Sequence, residues 1–402
     1  MLKIISRILT GSVFLFSGFV KAIDPIGGAI KISEYLEIVG LHNTNELAIG
    51  LAITLSTIEF ILGFHLVVGF KVKRVALPTL IFMIGFTILT LYIAIEEPVS
   101  DCGCFGDFVK LTNWETFFKN LIIIPFSFHV YARRKDYKSV LSPLRQHLLS
   151  TTGLIFIVLI SIYGVNYLPA IDVRAYQIGT NIPESMSIPE GADEGEYETS
   201  FVLEKDGIQK EFGVDDYPYN DSTWVFIDSK TKVIREGYQP PIAALNFESP
   251  EGEDLTNQII NNDRPVFLMV APKLEETSTE KIKQFIAIKD IAYKNDFRFY
   301  TATASLSDAC FKFDMQHLAG FEYALCDETT LKTIIRANPG LVIIYKGTII
   351  AKYNHSQLPL ADELKNPLSH SVRAMQKAND KTWLWLCLSA MVLVLVITYK
   401  FK

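Results

Sequence analysis

Charge is scarce in this sequence. Of 402 residues only 20% are Asp, Glu, Lys or Arg, against about 25% in an ordinary soluble domain. With 49% hydrophobic residues and a mean hydropathy of +0.24, the shortage argues against a wholly cytosolic protein. It also excludes an intrinsically disordered one, which combines low hydrophobicity with high charge. No basic run is long enough to hold a nucleic acid. Cysteine is scarce as well, and five residues are too few for a disulfide scaffold.

What charge there is divides unevenly. Residues 1–168 carry 14 Lys/Arg and 11 Asp/Glu, and the remainder 24 and 33. The first part is apolar and weakly basic, the second polar and acidic. Six stretches are apolar enough to cross a bilayer, which takes roughly 20 residues: 4–23, 47–70, 75–95, 114–132, 148–168 and 383–399. The first reads as a span rather than a signal peptide, because its apolar run is long and the segment around Lys21-Ala22-Ile23-Asp24 makes a poor cleavage site.

Orientation follows from Lys and Arg in the short loops. Lys3 and Arg7, Lys71 to Arg74, Arg133 to Arg145, and Lys400 with Lys402 fall on one side if all six spans are real. That side is expected to be the cytoplasm, so both termini are cytoplasmic and residues 170–380 periplasmic. The loop with Asp101, Cys102, Cys104 and Asp107 then faces outward. Between the first two spans, Asp24-Pro25 signals a turn, and Ile30, Ile32, Tyr35, Leu36 and Val39 follow at helical spacing, predicting a short amphipathic helix at the outer interface.

The exterior segment divides in two. Residues 170–240 predict a small β-rich piece with one hairpin over 201–208 and another turning at Asp228-Ser229. Residues 242–360 alternate strand and helix patterns. Apolar runs at 265–270 and 297–302, helical stripes over 279–293 and 305–318, and a hairpin turning at Lys346-Gly347 predict an α/β layer with a mixed sheet.

The chemistry concentrates in Cys102-Gly103-Cys104. Such a pair closes a disulfide only with backbone strain, which Gly103 makes tolerable, and a strained disulfide is more oxidising. Asp101 and Asp107 are expected to oppose thiolate formation. A structural cross-link, a metal site and plain buried thiols are the competing readings. Two thiols with no histidine near them make a poor metal set, so no metal is expected. Glu59 and His65 lie within the second span, where ionisable groups are costly and usually functional. They suit a polar cavity or a quinone head-group pocket, or else interhelical hydrogen bonding. Six residues apart, they point to substantially different helix faces. Cys310 and Cys326 are secondary redox candidates that either pair or serve as small buried apolar residues.

Two resemblances extend this reading. Residues 242–360 resemble a thioredoxin-like domain of the extracytoplasmic peroxiredoxin and cytochrome-maturation type. Ala244 to Thr256 stands where that group has its first hairpin, and Asn338-Pro339-Gly340 in the place of its cis-proline loop, which makes Pro339 the cis-proline candidate. Where a Cys-x-x-Cys belongs, the chain has Val270-Ala271-Pro272-Lys273, so dithiol chemistry is not expected of this domain. Residues 1–140 resemble the DoxX and MauE group of redox-associated membrane proteins, through Ser17-Gly18-Phe19, Asp24-Pro25, Tyr35, Glu59 to Gly63, and Asp101-Cys102-Gly103-Cys104-Phe105-Gly106-Asp107. The whole is similar to a Bacteroidetes-type DoxX family protein fused to a thioredoxin-like domain.

The expected architecture is therefore a membrane α-helical bundle with six transmembrane helices. A four-helix module over 1–140 is followed by a fifth helix at 148–168, the β-rich segment, the thioredoxin-like domain and a sixth helix at 383–399. The resemblance implies extracytoplasmic thiol–disulfide chemistry at the inner membrane, with a thiol protein or a membrane quinone as co-reactant. Two other functions stay open: a non-catalytic assembly or chaperone-like protein, and a small-molecule or quinone-binding membrane protein.

Overall fold

The computed structural model describes residues 1–370 apart from 43, 100, 101, 140, 194, 195, 206, 207, 214, 215, 220, 222 and 236, and beyond them residues 372, 384 and 389. The chain forms two compact units, one of residues 1–180 with 246 onward and the other of residues 181–245.

The first unit opens with helices. α1 (Leu2–Ile23) leads directly into α2 (Pro25–Ile38). Asp24 makes the joint: its carboxylate accepts from the Gly27 N–H at 2.9 Å, and Pro25 sits in the first turn, where no N–H is needed. α2 lies where a helix was expected between the first two spans. α3 (Asn45–Val68) stops at Gly69, whose φ of +85° is the usual left-handed helix terminus. α4 (Val72–Glu96) and α5 (Asn113–Ala132) flank the cysteine loop, and a capping box of Thr112 with Glu115 fixes where α5 begins. α6 (Pro143–Asn166) follows.

Helices α1, α3, α4 and α6 are long and apolar enough to cross a membrane. The stretch expected as the fourth span forms α5, which packs on α4 and α1. It is 20 residues long, and Asn113, Glu115, Lys119, Asn120 and His129 make it more polar than the other four. The sixth expected span, with Cys387, lies almost wholly outside the described residues.

Glycines decide how closely α1 and α3 approach. A Cβ on Gly18 would stand 2.3 Å from the Phe60 backbone nitrogen, and one on Gly63 only 2.2 Å from that of Leu15. Both clashes are with backbone, so no rotamer change relieves them. Gly63→Val is expected to cost at least the upper end of the about 1–3 kcal/mol typical of overpacking. The check is the thermal unfolding midpoint in detergent; a midpoint within error of the parent would show that the helices separate freely.

The second unit holds α7 (Ile182–Met186) and an antiparallel sheet of β1 (Glu196–Lys205), β2 (Ile208–Gly213) and β3 (Val225–Arg235), in the order β2-β1-β3. β1 and β2 form the hairpin expected over 201–208, although Asp206-Gly207 at its tip lie outside the described residues. The second expected hairpin does not form. Asp228 and Ser229 sit inside β3 opposite Val202 and Phe201. β1 offers β3 a partner along its length, and that ladder satisfies more backbone groups than a turn would.

The remainder of the first unit is an α/β layer. It contains α8 (Thr256–Ile260), β4 (Val266–Val270), α9 (Ile282–Lys294), β5 (Arg298–Thr303), α10 (Ser307–His317), β6 (Tyr323–Leu325), α11 (Glu328–Ile334), β7 (Gly340–Tyr345) and β8 (Thr348–Asn354). The sheet order is β6-β5-β4-β7-β8, with β4, β5 and β6 parallel and β7 and β8 antiparallel. β4 is buried along its whole length, which is why it reads as an unbroken apolar run. The three-residue β6 was not legible, being too short to carry a pattern. The Asn338–Pro339 bond is cis and directly precedes β7. Ahead of the layer, the expected first hairpin is reduced to a single bridge between Glu248 and Asp254.

Candidate functional site

The Cys-Gly-Cys loop joins α4 to α5. Gly103 has φ +64° and Gly106 φ +54°, left-handed values that favour glycine; between them the chain turns tightly enough to face both cysteines the same way. The two sulfurs lie 2.8 Å apart, and both cysteines are free thiols. The loop is held from several sides. The Phe105 ring packs on Phe16 of α1 at 5.4 Å, and the Lys119 ammonium of α5 sits over it at 4.3 Å.

Beneath the loop lies a buried polar chain. Lys21 Nζ donates to both Glu59 oxygens, at 2.7 and 3.0 Å. The Ser17 hydroxyl lies 2.7 Å from Glu59 Oε2 and equally 2.7 Å from the Cys104 carbonyl. The Lys21 and Glu59 side chains are only 10% and 4% exposed. The glycine contacts explain this geometry: with α1 and α3 pressed together at Gly18 and Phe60, the preceding residues Ser17 and Glu59 meet. Ser17 and Lys21 are four apart and share a helix face.

The two thiols titrate as one system. Cys102 is pushed down to about 6, first by its hydrogen bond with the Cys104 side chain; burial opposes this and the Lys119 charge assists. Cys104 is pushed well above its usual value by its hydrogen bond with the Cys102 side chain and by burial. Asp101 and Asp107 are the two carboxylates expected to oppose the thiolate. Asp107 is engaged elsewhere, 2.8 Å from the Arg336 guanidinium, and Asp101 lies outside the described residues.

Arg336, at the end of α11, reaches across to the helices. Its Nε donates to Asp24 at 2.9 Å and its Nη2 to Asp107, so one guanidinium ties the α/β layer to the α1–α2 joint and to the cysteine loop. Two chambers adjoin the loop. A polar one of about 230 Å³ is lined by Lys21, Asp24, Gly103, Gly106, Arg174 and Arg336, among others. An apolar one of about 210 Å³ lies between α2, α3 and α4, and Cys102, Cys104, Lys21 and Tyr35 are in its wall.

The other residues singled out from the sequence fall apart from this centre. His65 Nδ1 donates to the Ile61 carbonyl at 2.7 Å, and Nε2 lies 2.9 Å from the Ser150 hydroxyl. The ring thus bridges α3 to α6 and shares no site with Glu59, as their different faces require. Cys310 and Cys326 are unpaired thiols. Burial pushes them to about 11 and about 12, so neither is a ready nucleophile. Among the described residues no group of three His, Cys, Asp or Glu is placed to hold a metal. Sequence reasoning assigned no role to Lys21, Ser17 or Arg336. For Lys21 a signal existed: opposite charges inside apolar helices must pair, and Lys21 and Glu59 are among the few.

A search of curated proteins finds no match to the chain. Residues 197–236, within the second unit, match a domain of unknown function (DUF8463). Residues 1–132, which carry α1 to α5 and the cysteine loop, match the family described as methylamine utilisation protein MauE. With the four apolar helices, this makes the chain a multi-pass membrane protein whose N-terminal region is MauE-like.

Proposed function

We propose that this protein supports thiol–disulfide exchange outside the cytoplasmic membrane, with Cys102 and Cys104 as the exchanging pair. The observation that carries the reading is the pair itself: two sulfurs 2.8 Å apart, beside the buried Lys21–Glu59–Ser17 chain. In one turnover the Cys102 thiolate attacks a partner protein's disulfide and releases one partner thiolate. The Cys104 sulfur then displaces the second, leaving the partner as dithiol and the pair as disulfide. The reverse sequence oxidises a partner. Cys102 and Cys104 are the catalytic residues.

The parallel β4-β5-β6 strands followed by the β7–β8 hairpin support a thioredoxin-like reading of the α/β layer. Pro272-Lys273 stand after β4 where a dithiol would, so this layer binds or holds rather than exchanges. The basic loops support a reading in which the termini are cytoplasmic, residues 170–380 are periplasmic and six spans cross the inner membrane.

Thiol trapping in intact membranes tests the pair. Cys102 should react with iodoacetamide along a titration curve with its midpoint near 6, the rate rising with pH as the thiolate forms and levelling above. The pair should also cycle reversibly between dithiol and disulfide on adding oxidant and reductant. A midpoint near the ordinary thiol value of about 8.5, or thiols locked in one state, would overturn the proposal. Cys104→Ser should raise the Cys102 midpoint, since a serine hydroxyl is the weaker donor to sulfur.

A further inference from the structure

Helix α10 of the α/β layer is apolar on two faces. Its inner face is ordinary: Cys310 and Phe313 are buried in the core of the layer. Its outer face is not. Phe311 and Met315 are 67% and 60% exposed, and Leu318, which ends the helix, is 82% exposed. Positions 311, 315 and 318 follow the i, i+4, i+7 spacing of a single stripe. Leu306, just before the helix, is exposed as well. An apolar helix face turned outward marks a protein or a membrane contact.

The place of α10 in the fold decides between the two. Asn45, the first residue of α3, donates from Nδ2 to the Glu276 carboxylate at 2.6 Å. Glu276 closes the short turn Leu274–Glu276, against which α10 packs. Ser305 locks that packing. Its hydroxyl accepts from the Leu274 N–H at 2.9 Å and donates to the Glu275 carboxylate at 2.6 Å. One turn of chain therefore separates α10 from the end of a helix able to cross a membrane. At that same end Val39 and Leu41, between α2 and α3, and Leu47 and Leu51, on the first turns of α3, are exposed apolar residues too. The stripe on α10 thus stands beside a surface that lipid surrounds, and a separate protein would have to displace that lipid to reach it.

We infer that α10 lies in the head-group region of the bilayer that α3 crosses, with Phe311, Met315 and Leu318 dipped into lipid. An interfacial helix buries such a face at the boundary of head groups and acyl chains. Asp308 and Lys312 flank the stripe with opposite charges, so the attraction is apolar and zwitterionic lipid suffices. The contact holds the α/β layer down on the membrane, in addition to the tie that Arg336 makes to the helices. It is independent of the thiol–disulfide reading.

The experiment uses the full chain in phosphatidylcholine nanodiscs, made either with ordinary lipid or with lipid brominated on its acyl chains close to the head group. Phe311→Trp places a fluorophore on the stripe. The chain's own four tryptophans are subtracted by measuring the parent in matched discs. The added emission is expected to be blue-shifted from that of a tryptophan in water and to be quenched in the brominated discs. Adding Met315→Asp and Leu318→Asp should reverse both effects, because two carboxylates draw the stripe out of lipid. Both side chains are exposed, so these changes spare the core. Red emission that is equal in the two kinds of disc would put the face in water and overturn the inference. Blue emission without quenching would mean that protein, such as a second copy of the chain, covers the face, and would overturn it too. Quenching that survives the two aspartates would show that the stripe does not hold α10 in lipid, with the same consequence.

Discussion

Lys21→Met is expected to destabilise the helical module by about 3–5 kcal/mol, the usual result of stripping one partner from a buried ion pair. Glu59 would remain with its carboxylate 4% exposed and Ser17 as its single neutral donor. The comparison that isolates the pair is a double-mutant cycle with Glu59→Gln, read from unfolding in detergent. Lys21→Met with Glu59→Gln removes both charges and should be more stable than Lys21→Met alone by about 2 kcal/mol or more, because the desolvation cost goes with the charges. A double variant no better than the single would mean that the two side chains are not coupled in the membrane.

The same substitutions separate stability from reactivity. Lys21 favours the thiolate form at Cys104, so Lys21→Met should slow thiol exchange of the pair. Glu59→Gln keeps the ammonium and should slow it less. If the two variants matched in exchange rate at equal folded fraction, the ammonium would have no chemical role and would serve only the packing of α1 on α3.

Arg336→Gln carries the second large effect. Its guanidinium is 8% exposed and serves two carboxylates from different parts of the chain. Losing it leaves Asp24 and Asp107 without the cation between them, and the cost should again approach about 3–5 kcal/mol. The pH dependence gives an independent readout. Burial alone would raise the Asp24 carboxyl, but the Arg336 charge holds it below its usual 3.8. A depressed folded value means that the pairing contributes its stability above the ordinary carboxylate range and loses it as pH falls through the folded value. The parent should therefore lose stability on acidification below pH about 4, and Arg336→Gln should have a flatter acid limb. Limited proteolysis adds a local readout: the α/β layer, untied from the α1–α2 joint, should be cut faster near Asn166 to Thr180. An unchanged acid limb would show that the ion pairs do not form in solution.

Much of this molecule could be read from the order of residues. A span declares itself by length, because about 20 apolar residues in a row have few other uses; α1, α3, α4 and α6 were legible on that ground. β4 was legible for a related reason, since a strand covered on both faces must be apolar throughout. The Cys-Gly-Cys string and the missing Cys-x-x-Cys after Val270 are facts of sequence. They point the thiol chemistry toward the membrane region and away from the α/β layer before any coordinate is consulted.

What stayed hidden were relations between distant segments. Asp228-Ser229 has the composition of a turn, and only the presence of β1 alongside makes it strand. Glu59 was weighed with His65 because they share a helix, whereas its partner Lys21 is 38 residues away and meets it only because Gly18 and Gly63 let two backbones nearly touch. Asp107 looked like a charge opposing the thiolate, and it became Arg336's partner across 229 residues. By itself, then, the sequence determined which segments are apolar enough for a bilayer and where two thiols sit side by side, because hydrophobic length and covalent neighbourhood are local properties. Only the tertiary structure decided which charges neutralise which, because Coulomb energy and desolvation depend on distances that chain order does not contain.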